Sequence, residues 1–511
     1  MAVKTFAAID VGSTDVTMKI YEITAKRGSR QIDCVSNIIA LGSDTYAKGF
    51  VSQESVEKLC DILNGFSRKM KEYGVEHYKA YATSAIREAK NKMMVLDLLK
   101  LRTGIEIHVL SNSEQRFLMY KGLAANGVNF KQVAEKNTAI VDIGGGSVQI
   151  SLMNNGKLSV TQNMPIGALR VRERLKNLKV SPVHMERVIG EFVENEIETF
   201  SAFYLGDKTI KNIIAIGDEI ENLMHIISGH TVADQLNEEQ LKHVIEEIIT
   251  KNPVDLALEY KIPYERATLL LPAAMIYRIF LQKSKADTIW TPKVDLCDGI
   301  IVDELLRTKG ITVEHDFDED IRSIVRQMAK RYRCNKGHNV NVTKIACQIF
   351  DKTKKIHGLG PNERMQLEIA ATLHDCGKFI NMNGASANSY SIIMSNEIMG
   401  LSHKQREEVA NIVKYNALSL PTYENLRAEI GECDYMTIVK LLAILRVANA
   451  MDRSHKQKAS EYDIVVKDKQ LVITIDTLSD LTLERGLFDS KADFFLQVYG
   501  IRPMMKQKRS V

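Results

Sequence analysis

The sequence predicts an α/β protein with two similar halves that face each other across a cleft, followed by an all-helical part and a short α/β tail. Three observations carry this prediction. Strand-like and helix-like segments alternate up to about residue 300, as in layered α/β domains. A strand, an Asp and a Gly turn occur twice, at 9–13 (IDVGS) and 141–147 (VDIGGGS). From about 315 to 455 the hydrophobic spacing is helical almost throughout.

The elements of the first half follow from local patterns. Two strands, 3–10 and 15–23, flank a Gly-Ser turn, and a third strand lies near 32–40. Apolar residues at helical spacing over 55–73, followed by Gly74, predict an amphipathic helix with its C-cap. The next segments predict a strand, a helix and a strand, at 78–85, 93–104 and 105–111. The predicted domains are 1–125, 126–312, 313–458 and 459–511.

The length and composition of the chain exclude several classes of protein. A length of 511 residues exceeds what one core supports and suggests roughly three to four domains. No apolar run could span a bilayer, and the N-terminus lacks the features of a signal peptide. The seven cysteines are scattered and never in C-x-x-C spacing, which argues against disulfides and structural zinc. We expect a cytoplasmic protein, a homodimer, with no membrane association and no specific nucleic-acid partner.

The repeated Asp-Gly element has a chemical rationale. Glycines allow a tight turn in which backbone N–H groups converge on an anion, and the neighbouring carboxylate can hold a divalent metal. One IDVGS alone would be an ordinary hairpin turn. Two copies in corresponding places resemble the actin, hexokinase and Hsp70 superfamily, whose members bind phosphates between two halves. The resemblance implies an actin-like (ribonuclease H-like) two-domain ATPase fold.

Four segments narrow the resemblance to one family. The segments 81–91 (YATSAIREAKN), 109–123 (VLSNSEQRFLMYKGL), 141–153 (VDIGGGSVQISLM) and 164–175 (MPIGALRVRERL) are similar to motifs of the exopolyphosphatase/guanosine-pentaphosphate phosphatase (Ppx/GppA) family. This resemblance runs nearly end to end. It implies hydrolysis of phosphoanhydrides in inorganic polyphosphate or pppGpp, with Mg²⁺ as cofactor, and an HD-like fold for the all-α part.

The resemblance also implies roles for individual residues. Glu114 matches the family's catalytic glutamate, which orients or deprotonates the attacking water, and Arg87 would hold phosphate oxygens. Either residue alone could instead be a surface ion-pair partner. Asp10 and Asp142 would organise Mg²⁺. The predicted phosphate-binding residues are Ser13, Thr83, Gly144, Gly145, Gly146 and Ser147.

Several positions depart from the family pattern. Gln149 stands where the family has a metal-associated glutamate, so its place in the metal site is doubtful and Mg²⁺ affinity should fall. Asp218 and Glu219 replace a glycine/threonine phosphate loop and would repel a polyanion. These changes leave an alternative open, a regulatory protein that binds nucleotide or polyphosphate with little turnover. An ATP-dependent kinase is a weaker third hypothesis.

The helical part contains a run of basic residues at 321–336 without an acid. Arg322, Arg326, Lys330 and Arg333 have the spacing of one helix face, which fits a solvated face or a polyanion-binding stripe equally well. His338, the pair His374-Asp375 and Asp452 resemble the HD signature. Asn388, Asn416 and Asn449 stand where metal ligands are expected, so we predict a scaffold without a metal. His357 and His403 are predicted to be surface histidines.

Overall fold

The computed structural model describes residues 4–24, 28–126, 130–179, 181, 184–206, 209–228, 235–308, 310–427, 430, 434–459 and 461–508. The chain divides into two compact units, Met1–Asp320 and Ile321–Val511. The first unit contains both predicted α/β halves, and the second contains the helical part and the C-terminal tail. No helix in the described ranges is long and apolar enough to cross a membrane.

The first half is a five-stranded sheet of order β3-β2-β1-β4-β5 with helices against it. Its elements are β1 (Lys4–Val11), β2 (Asp15–Thr24), β3 (Gly28–Ile38), α1 (Leu41–Lys48), α2 (Gln53–Glu72), β4 (His77–Ala82), α3 (Ser84–Glu88), α4 (Lys92–Thr103), β5 (His108–Val109) and α5 (Asn112–Asn126). The Ser52 side chain caps α2, whose apolar face is buried. The predicted strand over 78–85 ends at Ala82, and Ser84 begins a helix.

The second half is a six-stranded sheet of order β10-β11-β9-β6-β7-β8. Its elements are α6 (Phe130–Ala134), β6 (Thr138–Ile143), β7 (Val148–Asn154), β8 (Lys157–Met164), α7 (Ala168–Asn177), α8 (Met185–Phe200), β9 (Asn212–Ile216), α9 (Asp218–Ser228), β10 (Gln235–Asn237), α10 (Glu238–Thr250), α11 (Pro253–Glu259), α12 (Tyr264–Ala267), α13 (Leu270–Ser284) and β11 (Thr288–Trp290). A π-helical turn, Ser201–Leu205, extends α8. The apolar helix α13 is buried almost all round.

The two sheets share one pattern of pairing. β1 pairs antiparallel with β2 and parallel with β4, and β6 pairs antiparallel with β7 and parallel with β9. Each half also has its own hydrophobic core. The prediction of two similar α/β halves is therefore confirmed.

One helix of the predicted second half packs against the first. The helix α14 (Leu296–Arg307) lies against α5 and β1. The approach to α5 is so close that a Cβ on Gly299 would lie 2.2 Å from the carbonyl oxygen of Leu118. Lys19 of β2 also binds Asp295 and Asp298 at 2.7 and 3.0 Å. The chain thus returns to the first sheet within the predicted domain 126–312.

The second unit is mostly helical and ends in a three-stranded sheet of order β12-β13-β14. Its elements are α15 (Phe317–Arg331), which begins in the first unit, α16 (Lys336–His357), α17 (Pro361–Leu373), α18 (Ala385–Ser395), α19 (His403–Ala417), α20 (Tyr423–Leu426), α21 (Tyr435–Ala450), β12 (Tyr462–Lys467), β13 (Gln470–Asp476), α22 (Thr482–Tyr499) and β14 (Arg502–Lys508). A 3₁₀ turn, Cys376–Phe379, follows α17.

Two expectations for this unit were wrong. Arg333 follows the end of α15 and has a φ of 50°, so it does not continue the helix face of Arg322, Arg326 and Lys330. His357 is 3% exposed. Its Nε2 donates to the carbonyl of Phe350 and its Nδ1 accepts from the amide of Leu359, each at 2.9 Å. These two bonds satisfy the imidazole inside the unit.

Candidate functional site

The two Gly turns of the first unit have the same internal geometry. The amide of Gly12 donates to the carbonyl of Asp15 at 2.9 Å, and the amide of Gly144 donates to the carbonyl of Ser147 at 3.0 Å. Each bond closes a four-residue turn between antiparallel strands, β1 with β2 and β6 with β7. The turns are thus related in structure as well as in sequence. The Gly144 amide belongs to its own turn, so it does not join the predicted phosphate cradle.

The turns lie on opposite sides of a cavity of about 100 Å³. Nine predicted site residues line it, namely Asp10, Ser13, Thr83, Asp142, Gly144, Gly145, Gly146, Ser147 and Gln149. Thr14, Asp15, Ser84, Gln115 and the acidic pair Asp218-Glu219 line it as well. The structure therefore brings most of the predicted phosphate and metal residues together.

Glu114 and Arg87 do not line this cavity. The Glu114 carboxylate accepts hydrogen bonds from the amide and hydroxyl of Ser111 at 2.9 and 2.7 Å, which is a cap at the start of α5. The Arg87 guanidinium donates to the carbonyl of Leu110 at 2.7 Å and to the Asn112 side chain. The helix α5 presents the next residue, Gln115, to the cavity instead. The Oε1 atom of Gln115 is buried and has no hydrogen-bond partner among the described residues.

Three hydroxyl groups meet between the turns. Ser13 Oγ lies 2.8 Å from Tyr46 Oη and 2.9 Å from Ser84 Oγ, and Tyr46 Oη lies 2.9 Å from Ser84 Oγ. A Cβ on Gly146 would lie 2.2 Å from Tyr46 Oη, so only glycine fits there. Arg170 stacks on the Tyr46 ring at 4.3 Å and donates to the Gly146 carbonyl at 2.7 Å. Hydroxyls held this close can turn their protons toward an anion.

Asp10 and Asp142 lie at corresponding places in β1 and β6. Burial, joined by the charge of nearby Asp15, raises the pKa of Asp10 well above its usual range. Burial also raises the pKa of Asp142 to about 7, although the charge of Arg116 acts in the opposite direction. Both carboxylates therefore need a positive charge nearby to be ionised near neutral pH.

Further acidic residues add negative charge to the lining of the cavity. Burial, followed by the charge of Asp218, raises the pKa of Asp15 to about 8 and that of Glu219 well above its usual range. Arg266 offsets part of this charge, because Nη2 binds Asp15 at 3.0 Å and Asp218 at 3.3 Å. Asp15 belongs to the first half and Asp218 to the second. Arg266 thus joins the halves through an ion-pair bridge at the cavity.

Glycine is required immediately before the acidic pair. Gly217 has a φ of 102°, and a Cβ there would lie 3.0 Å from Asp142 Oδ1. This close approach brings Asp218 and Glu219, the first residues of α9, to the ends of β6 and β9. The predicted loop therefore lies in the site, and it carries two acids there.

The residues of the cavity fit a divalent cation. Asp10 Oδ1 is buried and has no hydrogen-bond partner among the described residues, and Asp142 lies in the same cavity. Within the described ranges, no group of three or more His, Cys, Asp or Glu side chains could hold a metal ion by itself. Mg²⁺ commonly binds one or two carboxylates and completes its shell with water and substrate phosphates. Asp10 and Asp142 are suited to that incomplete set.

Gln149 is engaged by another side chain. Its Oε1 accepts a hydrogen bond from Arg116 Nε at 3.1 Å, and both side chains are buried. Gln149 therefore lies in the cavity, as its motif predicts, but its carbonyl oxygen already has a cationic partner.

Several residues that line the cavity or contact its lining were missed by sequence reasoning. Gln115 is adjacent to the predicted Glu114, and only the phase of α5 distinguishes them. Asp15 is the last residue of the first turn and lies two residues after the motif at 9–13, so the sequence offered a signal for it. Tyr46 and Arg266 carried no signal, because they come from helices distant in sequence.

A second polar cluster lies in the helical unit. His338 Nδ1 lies 2.9 Å from Asp452 Oδ2, and its Nε2 lies 3.2 Å from both His374 Nε2 and Asn449 Oδ1. His455 stacks on His338 at 3.6 Å. The structure thus assembles the predicted HD-like residues into one buried network.

Comparisons with known proteins show sequence similarity over most of the chain. Residues 20–308 match the model of the Ppx/GppA phosphatase family, and residues 321–490 match Ppx/GppA phosphatase domain III. The guanosine-5'-triphosphate,3'-diphosphate pyrophosphatase of Vibrio vulnificus is 20% identical over 484 residues, which are 92% of each chain. The protein of the same name from Aeromonas hydrophila is 21% identical over 87% of this chain and 86% of its own.

Solved structures show the same fold. An exopolyphosphatase from Cytophaga hutchinsonii aligns with a TM-score of 0.52 and 20% identity, over 61% of this chain and all of its own. The Ppx/GppA family member from Aquifex aeolicus aligns with a TM-score of 0.50 and 22% identity, over 62% of this chain and all of its own. This chain shares the fold of these two structures, and the relatives are named as a pyrophosphatase and an exopolyphosphatase. The chain belongs to the Ppx/GppA phosphatase family.

Proposed function

We propose that this chain is a hydrolase that releases terminal phosphate from inorganic polyphosphate, from pppGpp or from both. The observation that carries the proposal is the pair of matching Gly turns across one cavity, with Asp10 and Asp142 beside them. Hydrolysis of a phosphoanhydride requires a positioned water, neutralised phosphoryl charge and little covalent chemistry. A cavity of hydroxyls, turn amides and paired acids can meet these needs once a cation is bound.

Asp10 and Asp142 would hold Mg²⁺, which when bound neutralises charge on the phosphates. The hydroxyls of Ser13 and Ser84 would donate to oxygens of the terminal phosphate. The Gln115 amide would orient a water for in-line attack, a role that glutamine fills in other phosphoryl-transfer sites. The bond to the bridging oxygen breaks, and the products are orthophosphate and a chain shorter by one phosphate. The scattered cysteines suit a cytoplasmic reaction.

A second candidate is a regulatory protein that binds the same ligands and turns them over slowly. Two observations favour it. The amides Gln115 and Gln149 occupy cavity positions where carboxylates would serve as base and metal ligand. The ion-pair bridge through Arg266 also places Asp15 and Asp218 where a polyanionic substrate would enter the cavity.

Phosphate release separates the two candidates. Orthophosphate is measured from polyphosphate and from pppGpp over a range of Mg²⁺ concentrations, and binding of each ligand is measured by calorimetry. The hydrolase predicts Mg²⁺-dependent release that Asp10→Asn with Asp142→Asn abolishes. Asp61→Asn, an exposed acid on α2, is the matched control. Binding without release at every Mg²⁺ concentration would establish the regulatory protein, and neither binding nor release would exclude both.

A further inference from the structure

The helical unit contains a cavity of about 680 Å³ that the candidate active site does not use. Its lining comes from α15, α16, α17 and the turn at Cys334, all within the second unit. Val325 and Ile369 on its lining are 2% and 1% exposed, and Met365 is 9% exposed. Most small-molecule sites are cavities of this size with an apolar lining and a few polar groups.

The lining is strongly cationic at one side. Among the described residues it includes Arg322, Arg326 and Lys330, which lie on successive turns of α15, and Lys336 at the start of α16. The one acid among these described lining residues is Glu368, which accepts from Arg322 Nε at 2.9 Å. Lys330 and Lys336 form no ion pair within the part of the chain that the structure describes. The lining therefore carries an excess of positive charge that an anion would neutralise.

A buried polar atom lies on the same lining. Asn339 is 3% exposed, and its Nδ2 donates to the Thr372 carbonyl at 2.7 Å and to Asp375 at 2.9 Å. Its Oδ1 is buried and has no partner among the described residues. Two hydrogen bonds therefore fix the Asn339 side chain at the lining of the cavity.

We propose that this cavity binds a small amphipathic organic anion. The charged head lies against Arg326, Lys330 and Lys336, and the apolar body lies against Val325, Met365 and Ile369. Inorganic polyphosphate fits less well, because it has no apolar surface to place on this lining. The proposal does not depend on activity in the first unit.

The probe is 8-anilinonaphthalene-1-sulfonate, which combines an anionic head, an aromatic body and one N–H donor. Its fluorescence is titrated with the full-length protein at a temperature where thermal melting shows a folded chain. We expect saturable binding to one site. Decanoate should displace the probe, whereas decanol, which lacks the charge, and tripolyphosphate, which lacks the apolar body, should not.

Two variants test the location. Arg326→Glu with Lys330→Glu should weaken probe binding by about tenfold or more, which corresponds to about 1.4 kcal/mol. Thr343→Phe, which narrows the cavity without a change of charge, should also weaken it. Arg331→Glu makes one such charge reversal on the same helix but lies outside the lining, so binding should stay within about twofold of wild type.

Two results would overturn the proposal. The first is equal probe binding by the wild type, the double charge variant and Thr343→Phe, because the probe would then lie elsewhere. The second is displacement by tripolyphosphate but not by decanoate, because the cavity would then be a groove for inorganic polyanions.

Discussion

The Gln149 side chain accepts a hydrogen bond from Arg116 at 3.1 Å, directly beside the Asp142 carboxylate. Gln149 is the register partner of Asp142 across β6 and β7, and the charge of Arg116 lowers the pKa of Asp142. A buried cation therefore stands where the sequence motif leads one to expect only metal-binding acids. The consequences of Gln149 for Mg²⁺ depend on Arg116 as well.

Gln149→Glu alone should change the half-saturating Mg²⁺ concentration by less than about threefold, because the new carboxylate pairs with Arg116 and its charge is neutralised. Arg116→Ala with Gln149→Glu should lower that concentration by about tenfold, since the acid is then free to attract the cation. The measurement is Mg²⁺ dependence of phosphate release or of thermal melting. Equal effects of the single and double variants would show that Arg116 does not control Gln149.

The second prediction separates Gln115 from Glu114. Gln115→Ala should reduce phosphate release by about 10²-fold or more, because it removes the amide that faces the cavity. Glu114→Ala should lower the melting temperature and leave turnover within about threefold, because it removes a helix cap. Release that falls with Glu114→Ala but not with Gln115→Ala would favour the motif-based assignment of Glu114 as the catalytic carboxylate.

The third prediction concerns pH. Asp142 and Asp15 have pKa values raised to about 7 and about 8 in the folded protein, above those of the unfolded chain. The folded state therefore binds these protons more tightly, and the free energy of unfolding falls as pH rises from about 4 through about 8. We expect Mg²⁺ to relieve this loss by pairing with the ionised acids.

Thermal melting with and without Mg²⁺ checks this sign. The stabilisation by Mg²⁺ should be larger at pH 8 than at pH 6, because at pH 6 the cation competes with protons. Asp10→Asn with Asp142→Asn should remove most of the difference, and Asp61→Asn should keep it. A Mg²⁺ effect that is independent of pH would mean that the buried acids do not bind the cation.

The fourth prediction concerns the histidine network of the helical unit. His374 Nδ1 donates to the Ala371 carbonyl at 2.8 Å, and its Nε2 lies 3.2 Å from His338 Nε2. Burial lowers the pKa of His374 to about 4, so the folded protein holds this ring neutral. Stability from His374 is present above pH 6.5, the ordinary histidine pKa, and is lost as pH falls toward 4.

His374→Ala should lower the free energy of unfolding by about 1–3 kcal/mol, because it removes a buried ring and leaves the Ala371 carbonyl without its donor. Phosphate release by the folded variant should be unchanged. His403→Ala, at an exposed position, should alter neither quantity. Stoichiometric transition metal in the purified protein, lost in His374→Ala, would contradict a purely structural role.

Local patterns predicted much of the fold and of the site. The strand, Asp and Gly turn placed Asp10 and Asp142 correctly beside one cavity, because tight turns between adjacent strands are set by a few neighbouring residues. The helix α2 was likewise predicted from its apolar face and from Gly74, which follows it. The orientation of α5 about its own axis was harder to predict, because a rotation by one residue decides whether Glu114 or Gln115 faces the cavity.

By itself, the sequence determined the alternation of elements, the two related Gly turns and the family, since these features depend on residues close together in the chain. Only the tertiary structure decided the partners that reach the site from far away. Arg116 binds Gln149, Arg266 joins Asp15 to Asp218, and α14 returns to the first sheet. Such contacts depend on how separate helices and sheets pack, which no short window of sequence specifies.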